Sequence, residues 1–512
     1  MSLDVLLSGA SYMADPMAVA IMVLATFLGM FVGALPGLGT VTALAMILPF
    51  TYVLSAPQAI GMLLAIYCSS VYGGAIPALL INVPGTPQSA ATTFDAYPMA
   101  KKGLAAEALG WVTAASTLGG IFSLIVLTLA APQLAAVAVR FGSIEIFALI
   151  VFSLTTIAWV SRGNPFKGLL AGVIGVFLAT IGVDEMSGVS RFTFDNFALS
   201  AGFHIVPILI GLFALSEVFS TAGQGARTLA KPIVSTGFRV APAQEWIARW
   251  KTLLRSSAIG TFLGILPGVG ATAASLISYA QARAASPRKE NFGQGEPEGV
   301  IASEASNNAV TGGALVPTLA LGIPGDAPTA VMLGALIIHG INPGIQLFSR
   351  NPDLVSFIFV ALLVANVMMF FAGMLGAQLF SRVLQLPHAV VMAVVVALSL
   401  AGSYVIRFSM LDVAVAVIAG IVGVLLRYAG VPLAPIVIGF VLGRPLEVNL
   451  RQGLILTDMN PLGFFQSWIA CVLFAITAIV VFYPLLKQVA KIRRSKPTVS
   501  NGDATPADGD RN

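Results

Sequence analysis

The chain has 512 residues, of which 57% are hydrophobic and only 10% charged, with a net charge of +5. A soluble domain carries about 25% charged residues, whereas mean hydropathy here is +0.92. Those figures exclude a soluble enzyme or a nucleic-acid-binding protein and point to an all-α polytopic membrane protein, whose apolar stretches recur at the ~20-residue length a bilayer requires.

Residues 1–225 read as a first transmembrane repeat. Apolar spans near 17–32 and 41–54 flank Gly33-Ala34-Leu35-Pro36-Gly37-Leu38-Gly39. From 60 to 83 the chain is apolar yet carries Ser69, Ser70, Gly73, Gly74, Pro77 and Asn82. So many breakers predict a broken helix or re-entrant hairpin, with Pro84-Gly85-Thr86-Pro87 at its tip or break. Further spans lie near 106–130, 144–160 and 166–183, with a shorter run near 203–219. Residues 226–256 are basic, with Trp246, Ile247 and Trp250 interspersed, and read as a cytoplasmic amphipathic linker.

Residues 257–460 read as a second repeat of the same plan. Gly264-Ile265-Leu266-Pro267-Gly268-Val269-Gly270 matches the first Gly-Pro phrase. A segment with Glu304, Asn307, Asn308, Thr311, Gly312, Gly313 and Pro317 then leads to Pro324-Gly325-Asp326-Ala327-Pro328. Spans come next near 354–380, 388–403, 410–427 and 431–443. Residues 461–490 form one additional C-terminal transmembrane helix without a counterpart, and 491–512 a polar, disordered cytoplasmic tail. Cys68 and Cys471 sit in apolar runs and suggest neither a disulfide nor a metal site.

Matching phrases lie roughly 228 to 240 residues apart, the mark of a duplicated half. Charge decides the relative orientation of the halves. Lys101-Lys102 lies after the first tip, while its counterpart carries only Arg350. The turn at 51–58 is uncharged, while its counterpart carries Arg283, Arg288 and Lys289. Basic loops stay cytoplasmic, so equivalent loops fall on opposite sides and the repeats are expected to be inverted in topology. The N-terminus is then periplasmic and the C-terminus cytoplasmic.

Interrupted segments at matching places in two halves are the best sequence pointer to a transporter's binding site. Glycine permits close approach of a ligand to the backbone, and N–H groups freed at a helix break can hold an anion. The competing reading is that the glycines only allow close helix packing. The expected substrate contacts, for a carboxylate held between the hairpins, are Ser69, Ser70, Asn82, Gly85, Thr86, Asn307, Asn308, Thr311 and Gly325. Glu304 and Asp326 are the candidates for the coupling ion, Na+ or H+, as intramembrane acids are functional candidates by default. Glu304 could instead sit at a helix start near the surface, and Asp326 could cap a helix. No phosphate loop, zinc-protease or serine-hydrolase motif occurs, so no enzymatic activity and no cofactor is expected.

Together the phrases at 33–39, 72–87, 97–103, 304–309, 324–328 and 340–344 resemble the large membrane subunit of tripartite tricarboxylate transporters, the TctA type, over about residues 15 to 490. The resemblance implies a bacterial inner-membrane permease that works with a small membrane subunit and a periplasmic solute-binding protein. It implies cation-driven uptake of citrate-like tricarboxylates or related carboxylates, and an elevator-like mechanism. The alternative is a channel or carrier for a non-carboxylate small anion.

Overall fold

The computed structural model describes residues 8–160, 165–222, 237–383 and 387–494. Part of the expected linker and nearly all of the expected tail therefore lie outside the described residues. In chain order the main helices are α1 (Pro16–Ala34), α2 (Gly39–Ile47), α3 (Ala56–Gly73), α4 (Ala75–Ile81), α5 (Ala105–Ala138), α6 (Ser143–Val160), α7 (Pro165–Ala179) and α8 (Ile205–Ala222). The second half supplies α9 (Trp250–Ile265), α10 (Gly270–Ala285), α11 (Pro297–Leu321), α12 (Ala327–Ile338), α13 (Pro352–Val383), α14 (His388–Val405), α15 (Met410–Tyr428), α16 (Ala434–Leu456) and α17 (Trp468–Arg494). Among the described residues, six helices or joined helices are long and apolar enough to cross a membrane. Sheet, among the described residues, is one two-residue ladder, Gly182–Val183 on Ser190–Arg191.

Local chemistry sets the helix ends. Asp15 accepts the Met17 N–H at 2.9 Å and Pro16 opens α1. Ser55 and Gln58 form a capping box ahead of α3. The first Gly-Pro phrase turns the chain with positive φ at Gly37 (100°) and Gly39 (63°), and the second repeats this at Gly268 (87°) and Gly270 (67°). That backbone is open to glycine at little cost.

The first hairpin breaks at its glycines and the second does not. α3 ends at Gly73 and α4 begins at Ala75, with Gly74 between them at helical φ and ψ. α11, in contrast, runs unbroken through Gly312, Gly313 and Pro317 to Leu321. Both α4 and α11 end in a left-handed residue, Asn82 (φ 57°) and Gly322 (φ 71°), 240 positions apart. The next N–H closes back on a matching carbonyl: Val83 on Pro77 at 3.4 Å, Ile323 on Pro317 at 3.3 Å. This is the Schellman way of satisfying a helix terminus.

Small residues let the helices of each half meet closely. A Cβ on Gly29 would collide with Ser69, and one on Gly33 with the Ser70 carbonyl. In the second half Gly260 stands against Ser306 and Gly313 against the Thr261 carbonyl. The packing role considered for the glycines is therefore realised at these positions. α1 runs parallel to α3, and α5 runs beside α11, where Gly119 meets Ala305 and Ser123 meets Gly312.

Across the halves, α3 and α11 run in opposite senses. Ile60 and Leu63, near the start of α3, share a small apolar void with Leu315, Thr318 and Leu319, near the end of α11. Farther along, Thr92 beyond α4 reaches Ser303 near the start of α11. The loops gather at two ends. Ser8 to Asp353, Gln58 to Asp15 and Ser143 to Gln452 mark one. Lys102 to the Gln294 carbonyl and Arg239 N–H to the Ala106 carbonyl mark the other.

Candidate functional site

In each half the Gly-Pro turn rests on the Pro-Gly tip of the same half. A Cβ on Gly85 would collide with the Gly33 carbonyl and would lie 3.0 Å from the Gly74 Cα. In the second half Gly268 N–H donates to the Gly325 carbonyl at 2.8 Å, and Gly325 presses on Ala314. The two tip N–H groups are both in use. Gly85 N–H donates to the Gly74 carbonyl at 3.0 Å, and Gly325 N–H to Thr318 Oγ1 at 3.2 Å.

The two tips lead into different structures. Pro84-Gly85-Thr86 leads only into short 3-10 turns, Pro87–Ser89 and Ala91–Phe94. Thr86 Oγ1 and Ser89 Oγ lie 3.1 Å apart there. Pro324-Gly325-Asp326 opens α12, and Asp326 caps it, accepting the Thr329 N–H at 2.9 Å. Its other carboxylate oxygen accepts the Tyr67 hydroxyl at 2.6 Å. Asp326 thus caps α12, and Tyr67 carries no signal in the sequence that would single it out.

The remaining expected site residues separate into three groups. Ser69 and Ser70 are buried but return their hydroxyls to carbonyls of their own helix, Ala65 at 2.6 Å and Tyr67 at 3.2 Å. Asn82 is exposed at the end of α4. Asn307, Asn308 and Thr311 are buried on α11. Thr311 donates to the Asn308 carbonyl at 2.6 Å. Neither polar atom of the Asn307 side chain has a partner, and neither does Asn308 Oδ1.

Glu304 is fully buried in mid-helix rather than at a surface helix start. Its carboxylate accepts the Ser116 hydroxyl at 2.8 Å and the Thr92 hydroxyl, both from the first half. Asp95 is also fully buried. It accepts the N–H groups of Gly293, Gly295 and Glu296 at 2.8–2.9 Å and the Tyr279 hydroxyl at 2.8 Å. Asp412 pairs with Arg407, as their spacing allows, and Glu217 with Arg427. Asn366 on α13 is a further buried polar residue that sequence reasoning passes over. A lone amide in an apolar span is the available signal.

Buried acids from one half, bound by donors from the other, with duplicated glycine tips between apolar spans, define a polytopic helical membrane protein built from two interlocked halves. The chain belongs to the tripartite tricarboxylate transporter TctA family, whose pattern matches residues 19–438. It is 35% identical over 468 residues to an uncharacterized 52.8 kDa protein in the TAR-I ttuC' 3'region of Agrobacterium vitis, covering 91% of this chain and 93% of that relative. It is 32% identical over 234 residues to an uncharacterized protein in the TAR-II ttuC' 3'region of the same organism, covering 46% of this chain and 97% of that relative. No solved structure matches the chain.

Proposed function

We propose that the chain is the large permease subunit of a binding-protein-dependent, cation-coupled secondary transporter. It imports citrate-like tricarboxylates, or related di- and monocarboxylates, across the bacterial inner membrane, together with a small membrane subunit and a periplasmic solute-binding protein. Family membership supports the tripartite assembly. The observation that carries the site is the Asn307 side chain, buried on the helix that leads to the second tip, with neither its donor nor its acceptor used. A buried amide without partners costs free energy, and a carboxylate together with an ordered hydroxyl would satisfy both of its atoms. The substrate is assigned between the two tips, toward Gly85 and Thr86, because the second tip already holds the protein's own carboxylate at Asp326; the Gly85 N–H, which donates to the Gly74 carbonyl, would be released to meet it.

An inverted arrangement of 1–225 and 257–460 is supported by the opposite senses of α3 and α11. Orientation is supported by the lysines. Lys101, Lys102, Lys167, Lys251 and Lys289 all lie at the end that holds the Lys102–Gln294 contact. At the opposite end the described basic residues are arginines, and four of them, Arg191, Arg407, Arg444 and Arg451, are each paired with an acid. The lysine-rich end is therefore assigned to the cytoplasm. Sliding of one packed body past the other would carry the tips between the two sides, an elevator-type exchange.

The test is uptake of labelled citrate into vesicles holding this chain and its small subunit, with and without the binding protein, under an imposed Na+ or H+ gradient. Accumulation that needs the binding protein and one gradient supports the reading. Equilibration that ignores both, for citrate and for smaller carboxylates, overturns it.

A further inference from the structure

We propose that Glu304, Asn308 and Asn366 form a buried site for a monovalent cation of the size and hardness of Na+, set between α5, α11 and α13 and separate from the tips. The register of α5 against α11 sets the site. Ser116 on α5 meets Glu304 on α11 at 2.8 Å, and Gly119 and Ser123 on α5 meet Ala305 and Gly312. The two helices therefore run side by side in the same sense, and Gly120, one turn past Ser116, stands level with Asn308, one turn past Glu304. Asn366 of α13 reaches the same level, since a Cβ on Gly120 would collide with its Oδ1. Asn308 Nδ2 in turn lies 3.3 Å from Met369 Sδ, one turn along α13 from Asn366.

Three oxygen-bearing side chains thus stand within about one helical turn of each other: the Glu304 carboxylate and the two amides of Asn308 and Asn366. All three side chains are 0% exposed. Both amide oxygens lack a hydrogen-bond partner. The amide nitrogens are already directed elsewhere, that of Asn366 to the Leu362 carbonyl at 2.8 Å. No basic side chain is paired with Glu304 among the described residues, so the carboxylate is uncompensated by the protein. Two orphaned amide oxygens and a buried carboxylate held by two hydroxyls but by no positive charge form an expensive arrangement without a guest.

The chemistry selects the guest. A proton would neutralise Glu304 but leave both amide oxygens without partners. A divalent ion would meet only one carboxylate, where hard divalent sites usually supply more charge. A small monovalent cation matches one carboxylate, two amide oxygens and the Ser116 hydroxyl. For its role in transport the inference rests on the carrier reading above; for occupancy it does not.

The experiment is thermal unfolding of the purified full-length chain in detergent, titrated with NaCl against choline chloride at fixed ionic strength. The expected result is a saturable, Na+-specific rise in the midpoint. Asn366→Ala and Asn308→Ala should each weaken the apparent Na+ affinity at least tenfold, while both variants elute as monodisperse protein. Should either variant fail to fold, the milder Asn366→Ser takes its place, and the wild-type titration alone remains decisive. A wild-type midpoint indifferent to Na+ relative to choline overturns the site, whatever the uptake assay gives. Absence of carboxylate uptake with a normal Na+ titration removes the carrier reading and leaves the site standing.

Discussion

The Tyr67 hydroxyl lies 2.6 Å from the Asp326 carboxylate, joining α3 of the first half to the tip of the second. Both groups are buried, so no water replaces the bond when it is removed. Tyr67→Phe keeps the ring and deletes only the donor. It is expected to lower stability by about 1–3 kcal/mol, the usual cost of stranding a buried acceptor. Thermal unfolding of the purified variant measures this. An unchanged midpoint would show that the two halves are not held by this bond.

Glycine substitutions should separate tip packing from mere helix flexibility. A Cβ on Gly85 would strike the Gly33 carbonyl and come within 2.9 Å of Pro77 Cγ. Gly85→Ala should therefore destabilise by about 1–3 kcal/mol as an overpacked site does. Gly172 is helical, and a Cβ there meets nothing within 4 Å. Gly172→Ala should be neutral or stabilising by about 0.4–1 kcal/mol. Equal effects from the two variants in a melting assay would contradict the close contact at the tip.

Legibility in the sequence depends on how far apart the interacting residues lie. Spans read near 144–160, 388–403 and 410–427 coincide closely with α6, α14 and α15, because long apolar runs mark themselves. The duplication is legible too, and Asn82 and Gly322 share a left-handed helix end. Which breakers act is not. Gly74 separates α3 from α4, yet Pro77 lies inside α4, and Gly312, Gly313 and Pro317 leave α11 unbroken. α2, read as a span near 41–54, is a nine-residue helix that passes into a 3-10 turn, too short to cross. Partners from the other half, Tyr67 for Asp326 and Thr92 for Glu304, are hundreds of residues away and carry no local signal. Ser69 and Ser70 look free for a ligand because their back-bonding to helix carbonyls is invisible in one dimension.

Asp95 fastens the segment after the first tip to the loop ahead of α11. One of its oxygens takes three backbone N–H groups, and the other takes the Tyr279 hydroxyl. Asp95→Ala strands all four donors. Asp95→Asn leaves one oxygen for the three N–H groups, and its new amide can donate to the Tyr279 oxygen. Alanine should therefore open the loop far more than asparagine. Trypsin cleavage at the exposed Arg288 and Lys289 reads this out. Equal cleavage rates for the two variants would show that the carboxylate does not hold the loop.

Asp184, in the loop beyond α7, is held well below the usual carboxylate range by the Ser187 hydroxyl first, then by Arg451, the Met186 N–H and Arg191. A carboxyl whose folded pKa lies below its unfolded value stabilises the fold above that unfolded value, about 3.9 for Asp. The contribution is lost as pH falls toward the folded pKa. Wild type should thus melt above Asp184→Asn at pH 7, and the gap should narrow steadily below about pH 4. A gap that stays constant down to pH 2 would mean that the difference comes from packing and not from the charge.

Orientation can be read with single cysteines. Cys68 is buried and Cys471 partly so, so Cys471→Ser leaves a background in which an added thiol dominates the labelling. Phe194 is 85% exposed in the loop that contains Asp184. Lys289 is exposed at the lysine-rich end. If basic loops stay cytoplasmic, Phe194→Cys should react with a membrane-impermeant maleimide in intact spheroplasts, and Lys289→Cys only after the membrane is opened. The reverse pattern would turn the molecule over and place the paired-arginine end inside. It would leave the tips and Glu304 where they are, because their contacts hold regardless of which side faces the periplasm. Labelling of both thiols in intact spheroplasts would be the more damaging result, since it would put the two loop sets on one side and remove the ground for antiparallel halves.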